Sequence, residues 1–423
     1  MTTTSLFGAD RHLPNRWLVL GLMLGIAIFN HADRYLLAAL VEPIKGEFTV
    51  SDGFMGLLMG PAFAVLYSIM AIPFAIYADK HSRIRIIVIG CVVWSLFTAL
   101  SGFVSNPWQL AGARIGVGVG EAAFQAPAYA LLAAYFPERE RGKAFAVMAL
   151  ATYLGQMLGY GGGPAVAEIW NWRAAFMLFG ALGLCIIVIA WLVVKEPVRV
   201  DVPPIRQPLV PMASRLFRLG SFATMTVGMA LGVMSGIAFG FWGPTLFARS
   251  YGLSISEAGS AFGAAFVIPG IIGAIGFGIL SDKLVQKGYQ RILIMSALAL
   301  AATTCALIAT AWAPSLQWAI LLAIPAGLLG GGWPVGLFAG LQYVLPDHTR
   351  STGTAIALLF VNMLGYVVGP WLVGTLSGVF GEGADGLRMA MVMVVPAGIV
   401  GALLIWWSAR YLIADRQCLA QNA

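Results

Sequence analysis

The chain has 423 residues, 60% of them hydrophobic and only 10% charged, with a formal net charge of +7. Soluble domains run at roughly 45–50% apolar and about 25% charged, so a soluble globular fold is excluded and lipid is the solvent for most of this chain. A nucleic-acid surface is excluded too, because no contiguous basic face carries the positive surplus.

The opening segment MTTTSLFGADRHLPNR, residues 1–16, is polar and reads as a retained cytoplasmic tail. The apolar run after it is too long for a cleaved signal peptide. A bilayer is crossed by about 20 apolar residues. That length predicts twelve spans: 17–40, 53–78, 84–104, 108–135, 143–167, 173–194, 221–247, 257–280, 291–311, 316–344, 352–378 and 388–410. No interval between them is long enough for a separate soluble domain. The Pro- and Arg-rich stretch 195–220, KEPVRVDVPPIRQPLVPMASRLFRLG, is a cytoplasmic linker between six spans (17–194) and six more (221–410). Residues 411–423 read as a second cytoplasmic tail. The expected fold is an all-α membrane protein of twelve transmembrane helices in two six-helix bundles, and the expected state is a monomer.

Lys and Arg are concentrated in the segments that are cytoplasmic if the N-terminus is inside, 19 of them against 4 outside, with Arg34 and Arg114 in the membrane. This asymmetry sets orientation and places both termini in the cytoplasm, of a bacterial inner membrane if the source is prokaryotic. The two halves also repeat. YADKHSR after the second span is echoed by LSDKLVQK after the eighth, PERERGKA by PDHTRSTGTA, and MLGYGGGP (157–164) by MLGYVVGP (363–370), all at offsets of 203–209 residues. Six spans return a chain to the same side, so the duplicated halves are parallel.

Charges inside spans are few. The first span carries NHADR, with His31, Asp33 and Arg34; the fourth carries Arg114 and Glu121. A charge at the bilayer centre costs roughly 2.5–3.5 kcal/mol even on the lenient scale, so these groups must face protein, water or one another. Arg114 and Glu121 lie seven residues apart on one helical face, about 10 Å along the axis. Asp33 and Arg34 differ by about 100° around their helix and serve different neighbours. Asp33 and Glu121 are the candidate proton carriers. Desolvation favours the neutral carboxyl and a nearby Arg the ionised one, so protonation of either acid would deprive Arg114 of its partner. Arg34 is either a substrate contact or a pin of helix register, and His31 either a packed residue or a proton relay. Protons are the expected coupling ion, with no other cofactor and no metal.

Glycines 116, 118 and 120 of GVGVGE lie in mid-span without a preceding strand, which removes the phosphate-loop context and leaves close helix packing. The Gly–Pro cluster of GYGGGP softens a helix. Cys91, Cys185, Cys305 and Cys418 are scattered without metal or redox spacing. The C-terminal half has no intramembrane charge. Its cavity candidates are Trp242, Thr245, Trp333, Gln342, Asn362 and Tyr366. An ionic N-terminal wall facing an apolar, aromatic C-terminal wall suits an amphipathic anion, or a small aromatic acid.

The loop ADKHSRIR resembles the signature loop of the major facilitator superfamily, usually G-x-L-a-D-r-x-G-r-r, with a weaker echo in GILSDK. Ala75 and Ser82 stand where that family usually has Gly, while Asp79, Lys80, Arg83 and Arg85 are kept. The Pro-containing fifth span and WNWRAAF at the start of the sixth are similar to the same family, and the likeness extends over residues ~15 to 410. More narrowly, NHADR, GARIGVGVGEAAFQAPA and PERERGKA resemble the Spinster-like branch, whose eukaryotic members are associated with sphingosine 1-phosphate and lysophospholipids. The resemblance implies that spans one and four are neighbours on a central cavity, which would let Asp33 meet Arg114 in the outer half. It also implies a cytoplasmic gate of Asp79 and Arg83 with Lys80, Arg85 and Arg141, echoed by Asp282. The expected activity is secondary active transport by alternating access, coupled to protons. The alternatives are transport of a small aromatic or sugar-derived acid, a drug efflux antiporter and, in other classes, a receptor or a membrane enzyme. The last lacks a catalytic constellation, since His12, His31, His81 and His348 are dispersed.

Overall fold

In the computed structural model the described residues are 14–197, 209–346 and 350–421, and every regular element among them is helical. Nine segments are long and apolar enough to cross a bilayer, and the first rod, Arg16–Ala39 (α1) with Val41–Phe48 (α2), makes a tenth with a 53° bend. The second rod joins Asp52–Met59 (α3) to Pro61–Lys80 (α4), and the third is Arg83–Ser101 (α5). The fourth predicted span is broken into Pro107–Ala122 (α6) and Gln125–Tyr135 (α7), each too short to cross alone. Glu138–Met157 (α8) and Gly163–Ile169 (α9) form the fifth rod, and Trp172–Val193 (α10) the sixth. Polar side chains fix where several rods begin: Asn15, Ser51, Ser82, Asn106 and Asn171 each accept from a backbone N–H of the first turn, which satisfies donors that a helix start leaves open.

The stretch expected as linker contains a short helix, Leu209–Leu216 (α11), whose Met212 and Leu216 join the core of the second half. That half runs through Gly220–Tyr251 (α12), Ile255–Phe262 (α13) with Ile268–Val285 (α14), Tyr289–Ala311 (α15) and Leu316–Val344 (α16). It ends with Arg350–Asn362 (α17) and Gly369–Val379 (α18), then Gly383–Val394 (α19) and Ala397–Gln421 (α20). Residues 411–421, expected as tail, continue α20. Asp415 accounts for it: its carboxylate accepts from the Ser221 backbone N–H at 2.7 Å and hydroxyl at 2.6 Å, anchoring the extension across the start of α12.

Every third rod is interrupted before a proline. The second breaks at Gly60–Pro61. The fifth, eighth and eleventh each contain a π turn, Leu158–Gly162, Gly263–Val267 and Met363–Val368, followed within two residues by Pro164, Pro269 and Pro370. Proline offers no N–H and its ring crowds the carbonyl four residues back, and a π turn absorbs that mismatch. The repeated MLGY…GP motif is thus a repeated backbone device.

Glycines set how closely rods approach. On the fifth rod, Gly155, Gly159 and Gly163 face His31, Ala32 with Tyr35, and Leu36 of α1, a small residue every fourth position. In GVGVGE, Gly116 lies against the Phe97 ring, Gly120 against the backbone of Gly90 and Trp94, and Gly118 against the Phe63 carbonyl. A Cβ at Gly118 would overlap main chain, which cannot rotate away. Gly118→Val is therefore expected to destroy the monodisperse peak in size-exclusion chromatography. Gly112→Ala on the same helix, where nothing lies within 4 Å, should leave that peak intact.

Candidate transport site and the clamp between the halves

The four intramembrane charges meet as two crossed pairs between α1 and α6. Arg114 Nη1 donates to Asp33 Oδ2 at 2.8 Å, and Arg34 Nε donates to Glu121 Oε2 at 2.7 Å. All four side chains are buried, none more than 7% exposed. The helices run antiparallel, so Arg114 and Arg34 reach in the same direction along the bundle, to Asp33 and to Glu121. Glu121 therefore pairs with Arg34 and not, as its place on α6 suggests, with Arg114. The adjacent residues Asp33 and Arg34 do serve different neighbours, because the helical angle sends them to different turns of one opposing helix.

The second layer is uneven. Asp33 also accepts from the Thr98 hydroxyl at 2.8 Å, and Arg34 Nη2 donates to Asn30 Oδ1 at 3.3 Å. The Phe63 ring lies beneath both guanidiniums, 4.9 Å from Arg34 Cζ and 5.3 Å from Arg114 Cζ, and Tyr67 stacks under Arg34 at 4.6 Å. These faces support cations in a dry environment. Asp33 thus has both oxygens engaged, whereas Glu121 Oε1 is buried with no hydrogen-bond partner. Such an orphaned oxygen is costly on a carboxylate. His31 shares a hydrogen bond with the Thr152 hydroxyl at 3.2 Å, which ties α1 to α8.

Beside this cluster lies a cavity of about 230 Å3 between the halves. Tyr35, Gln156 and Tyr160 line it from the first half, and Ser235, Thr303, Trp333 and Tyr366 from the second. Tyr366 also sits next to the Arg34 guanidinium, so one residue borders both cavity and charges. Gln156 donates to the Tyr35 hydroxyl at 2.8 Å. Of the six predicted cavity residues, Trp333 and Tyr366 line this space. Trp242 is fully buried and donates to the Pro370 carbonyl at 2.9 Å. Thr245 is buried one turn farther along α12, Gln342 is tied to Thr354 at 3.2 Å, and Asn362 is half-buried at the end of α17. Gln156 carried the same signal as Gln342, an amide in an apolar span.

Toward the end that carries α2 and α3 the cavity is capped by aromatic rings: Tyr35 packs edge-on to Tyr160 at 5.1 Å and to Phe241 at 5.3 Å, and Tyr160 to Phe262 at 5.4 Å. Tyr160 also donates to the Gly240 carbonyl at 2.8 Å across the halves. Pro244, four residues on, has no N–H to offer that carbonyl, so the phenol takes its place.

Beyond the rings is an ion network that no sequence motif announces. Asp52, at the start of α3 and fully buried, accepts from Arg249 Nη1 at 2.7 Å and Nη2 at 2.8 Å, from the Ser377 hydroxyl at 2.6 Å and from Lys45. Arg249 Nε reaches Glu42 at 2.8 Å, and Lys45 reaches Glu382 at 2.8 Å. Glu382 accepts from the Asp52 backbone N–H at 3.0 Å. Arg249, Ser377 and Glu382 belong to the second half and the others to the first, so the network clamps the two together. Glu382 has φ 55° and ψ −156°, between Gly381 and Gly383. A non-glycine residue held there stores about 1–3 kcal/mol of strain, and its two carboxylate contacts hold it in place. Beneath the network, Gly56 and Gly60 of the second rod lie on the backbone of Pro370 and Val367, and Gly374 lies on that of Asp52.

At the opposite end the expected gate residues are more dispersed. Asp79 closes α4, and its side chain lies outside what the structure describes. Lys80, Arg85 and Asp282 are exposed, Arg83 is half-buried, and none of the four makes an ion pair among the described residues. Arg141 Nε donates to the carbonyls of Ala133 and Phe136 at 3.0 and 3.2 Å, closing the end of α7. Glu196 accepts from the Ser82 hydroxyl and the Ile84 N–H at 3.0 and 3.1 Å, at the first turn of α5.

The family model of the Major Facilitator Superfamily matches residues 23–370. An MFS-type efflux pump of Mycolicibacterium smegmatis is 31% identical over 413 residues, covering 95% of each chain. Protein spinster homolog 1 of Xenopus laevis is 27% identical over 432 residues, covering 93% of this chain and 80% of that one. A bacterial homolog of the human lysosomal transporter Spinster, in its inward-facing and occupied conformation, superposes with TM-score 0.84 at 24% identity, covering 95% of this chain and 98% of that one. Its inward-facing and unoccupied form gives 0.82 at 25% identity, covering 96% and 99%.

Proposed function

The chain belongs to the Major Facilitator Superfamily of membrane transporters, and we propose that it moves an amphipathic organic anion, coupled to protons, by alternating access. The observation that carries this reading is the crossed pair of buried ion pairs with one orphaned carboxylate oxygen, on Glu121, next to a cavity whose own lining is uncharged from both halves and which Tyr366 links to Arg34. The cluster is neutral as it stands. A proton on Glu121 leaves Arg34 without its counter-ion, and an anionic group entering past Tyr366 restores the balance. Proton and anion thereby stabilise one another's bound state, which is the coupling free energy that symport requires.

The outer network, the aromatic cap and the glycine contacts of the second and eleventh rods support assigning this conformation to the inward-facing state. The tail of the substrate packs against Trp333, Phe266 and Leu307. A space of about 230 Å3 is smaller than the usual 300–1,000 Å3 of ligand pockets. It holds a compact head or an aromatic ring, and a longer chain would run on between the rods. Orientation follows the distribution of Lys and Arg, with both termini in the cytoplasm.

A second reading, efflux of a hydrophobic drug, is favoured by the name of the Mycolicibacterium relative and by the uncharged second wall. Proteoliposomes separate the two. A panel of lysophospholipids, sphingoid phosphates, aromatic and sugar acids, each beside an uncharged analogue, should show gradient-dependent movement of an anion and none of its analogue. Equal movement of both, or indifference to a pH gradient, would remove the proton–anion reading.

A further inference from the structure

On the lipid-facing side of the second half, away from the transport cavity, α14 and α15 both pack on α16 and stand apart from one another. The cleft between them has a volume of about 470 Å3, is lined by Phe277, Ile294, Leu298, Ala302 and Leu329, and has Arg291 at one end. Its shape follows from residue size. Ala299 and Ala302 are too small to fill the gap, and Phe277 is drawn down onto Gly332 of α16. Arg291, on the first turn of α15, Lys283, in the last turn of α14, and Lys287, in the turn that joins them, are all exposed, and none has an ion-pair partner among the described residues; Asp282 is the one acid in the 282–291 stretch. From Arg291 to Ala302 the helix rises about 16 Å at 1.5 Å per residue, so the cleft is a long apolar trough closed by a cationic cluster at headgroup depth.

We propose that this cleft is a binding site for an anionic phospholipid, its acyl chain lying along Leu298 and Ala302 and its phosphate on Arg291, with Lys287 and Lys283 completing the headgroup shell. The occupant follows from charge complementarity. A neutral lipid would leave three cations uncompensated at the mouth of the trough, and a free phosphate would leave the trough itself empty. Basic residues between transmembrane helices at one membrane face recognise acidic headgroups in this manner, each contributing on the order of five-fold in affinity. The site is independent of the transport reading, because it shares no residue with the cavity or the charge cluster.

Native mass spectrometry of the full chain, delipidated in detergent and titrated with phosphatidylglycerol or phosphatidylcholine of identical chains, tests it. One phosphatidylglycerol should be retained about ten-fold more tightly than phosphatidylcholine. Arg291→Gln should reduce that preference to about two-fold or less. Arg139→Gln, an exposed cation at the start of α8 in the first half, should leave it unchanged. Ala302→Phe, which fills the trough, should weaken both lipids. Equal retention of the two lipids by the natural chain, an equal loss in Arg139→Gln, or competition by inorganic phosphate at the affinity of the lipid would each overturn the proposal.

Discussion

Glu121→Gln is expected to abolish gradient-driven accumulation while leaving substrate exchange at equal pH. With one proton per substrate, each unit of pH difference can sustain about a ten-fold substrate gradient. In the variant that ratio should fall to about one. The amide copies the shape of the protonated acid and can still accept from Arg34 Nε, but it cannot release a proton. Asp33→Asn should behave differently. Asp33 is engaged on both oxygens, by Thr98 and by Arg114, and Arg114 is only 1% exposed. Removing one partner of a buried pair costs about 3–5 kcal/mol, so this variant should lose thermal stability in detergent as well as transport. Accumulation at the natural level by both variants would end the proton-coupling proposal.

The difference between the two acids shows what the sequence could reveal and where it stopped. In an apolar span every charge is conspicuous, so the four members of the cluster could be listed from residue type alone. Their pairing was not legible, because it depends on the offset of α1 against α6 and on side-chain reach. Seven residues on α6 against one on α1 look incompatible until both guanidiniums lean inward. Backbone devices were legible where a motif repeats: MLGYGGGP and MLGYVVGP both become π turns, since proline imposes the same local conflict in each half. Span limits shifted where side chains from elsewhere intervene, as Asp415 does for the end of α20. The outer network left no trace in the sequence. Lys45, Asp52 and Glu382 lie in polar connections where charges are ordinary, and Asp52 after Ser51 reads as a helix-start acid. Nothing local reveals that its partners lie 197 and 330 residues away in the chain.

Asp52→Asn is expected to open the outer end. The carboxylate holds both arms of the Arg249 fork and the Lys45 ammonium, and charge-assisted, two-pronged contacts are the stronger kind of hydrogen bond. Asparagine retains one acceptor and removes the charge, a loss of about 3 kcal/mol on the scale of broken buried pairs. A shift of about 5.5 kcal/mol inverts a 99:1 equilibrium, so a change of this size takes a strongly outer-closed population to roughly equal shares of two states. The strained turn at Glu382 acts in the same direction. Its carboxylate is held by Lys45 and by the Asp52 N–H, and once the clamp loosens, relaxation of the backbone adds to the release. Spin labels at Thr49 and Asp385, exposed on opposite halves of the outer surface, report this in a chain whose four cysteines are replaced. The natural network should give one short distance, and Asp52→Asn a second, longer one of comparable weight. Glu47→Gln is the control. Glu47 lies on the same surface but pairs within the first half, with Arg173 at 2.5 Å and Trp172 at 2.7 Å, so its loss should leave the distances alone. If Asp52→Asn also leaves them alone, closure rests on the glycine contacts between the second and eleventh rods, and the ion network follows the closed state rather than holding it.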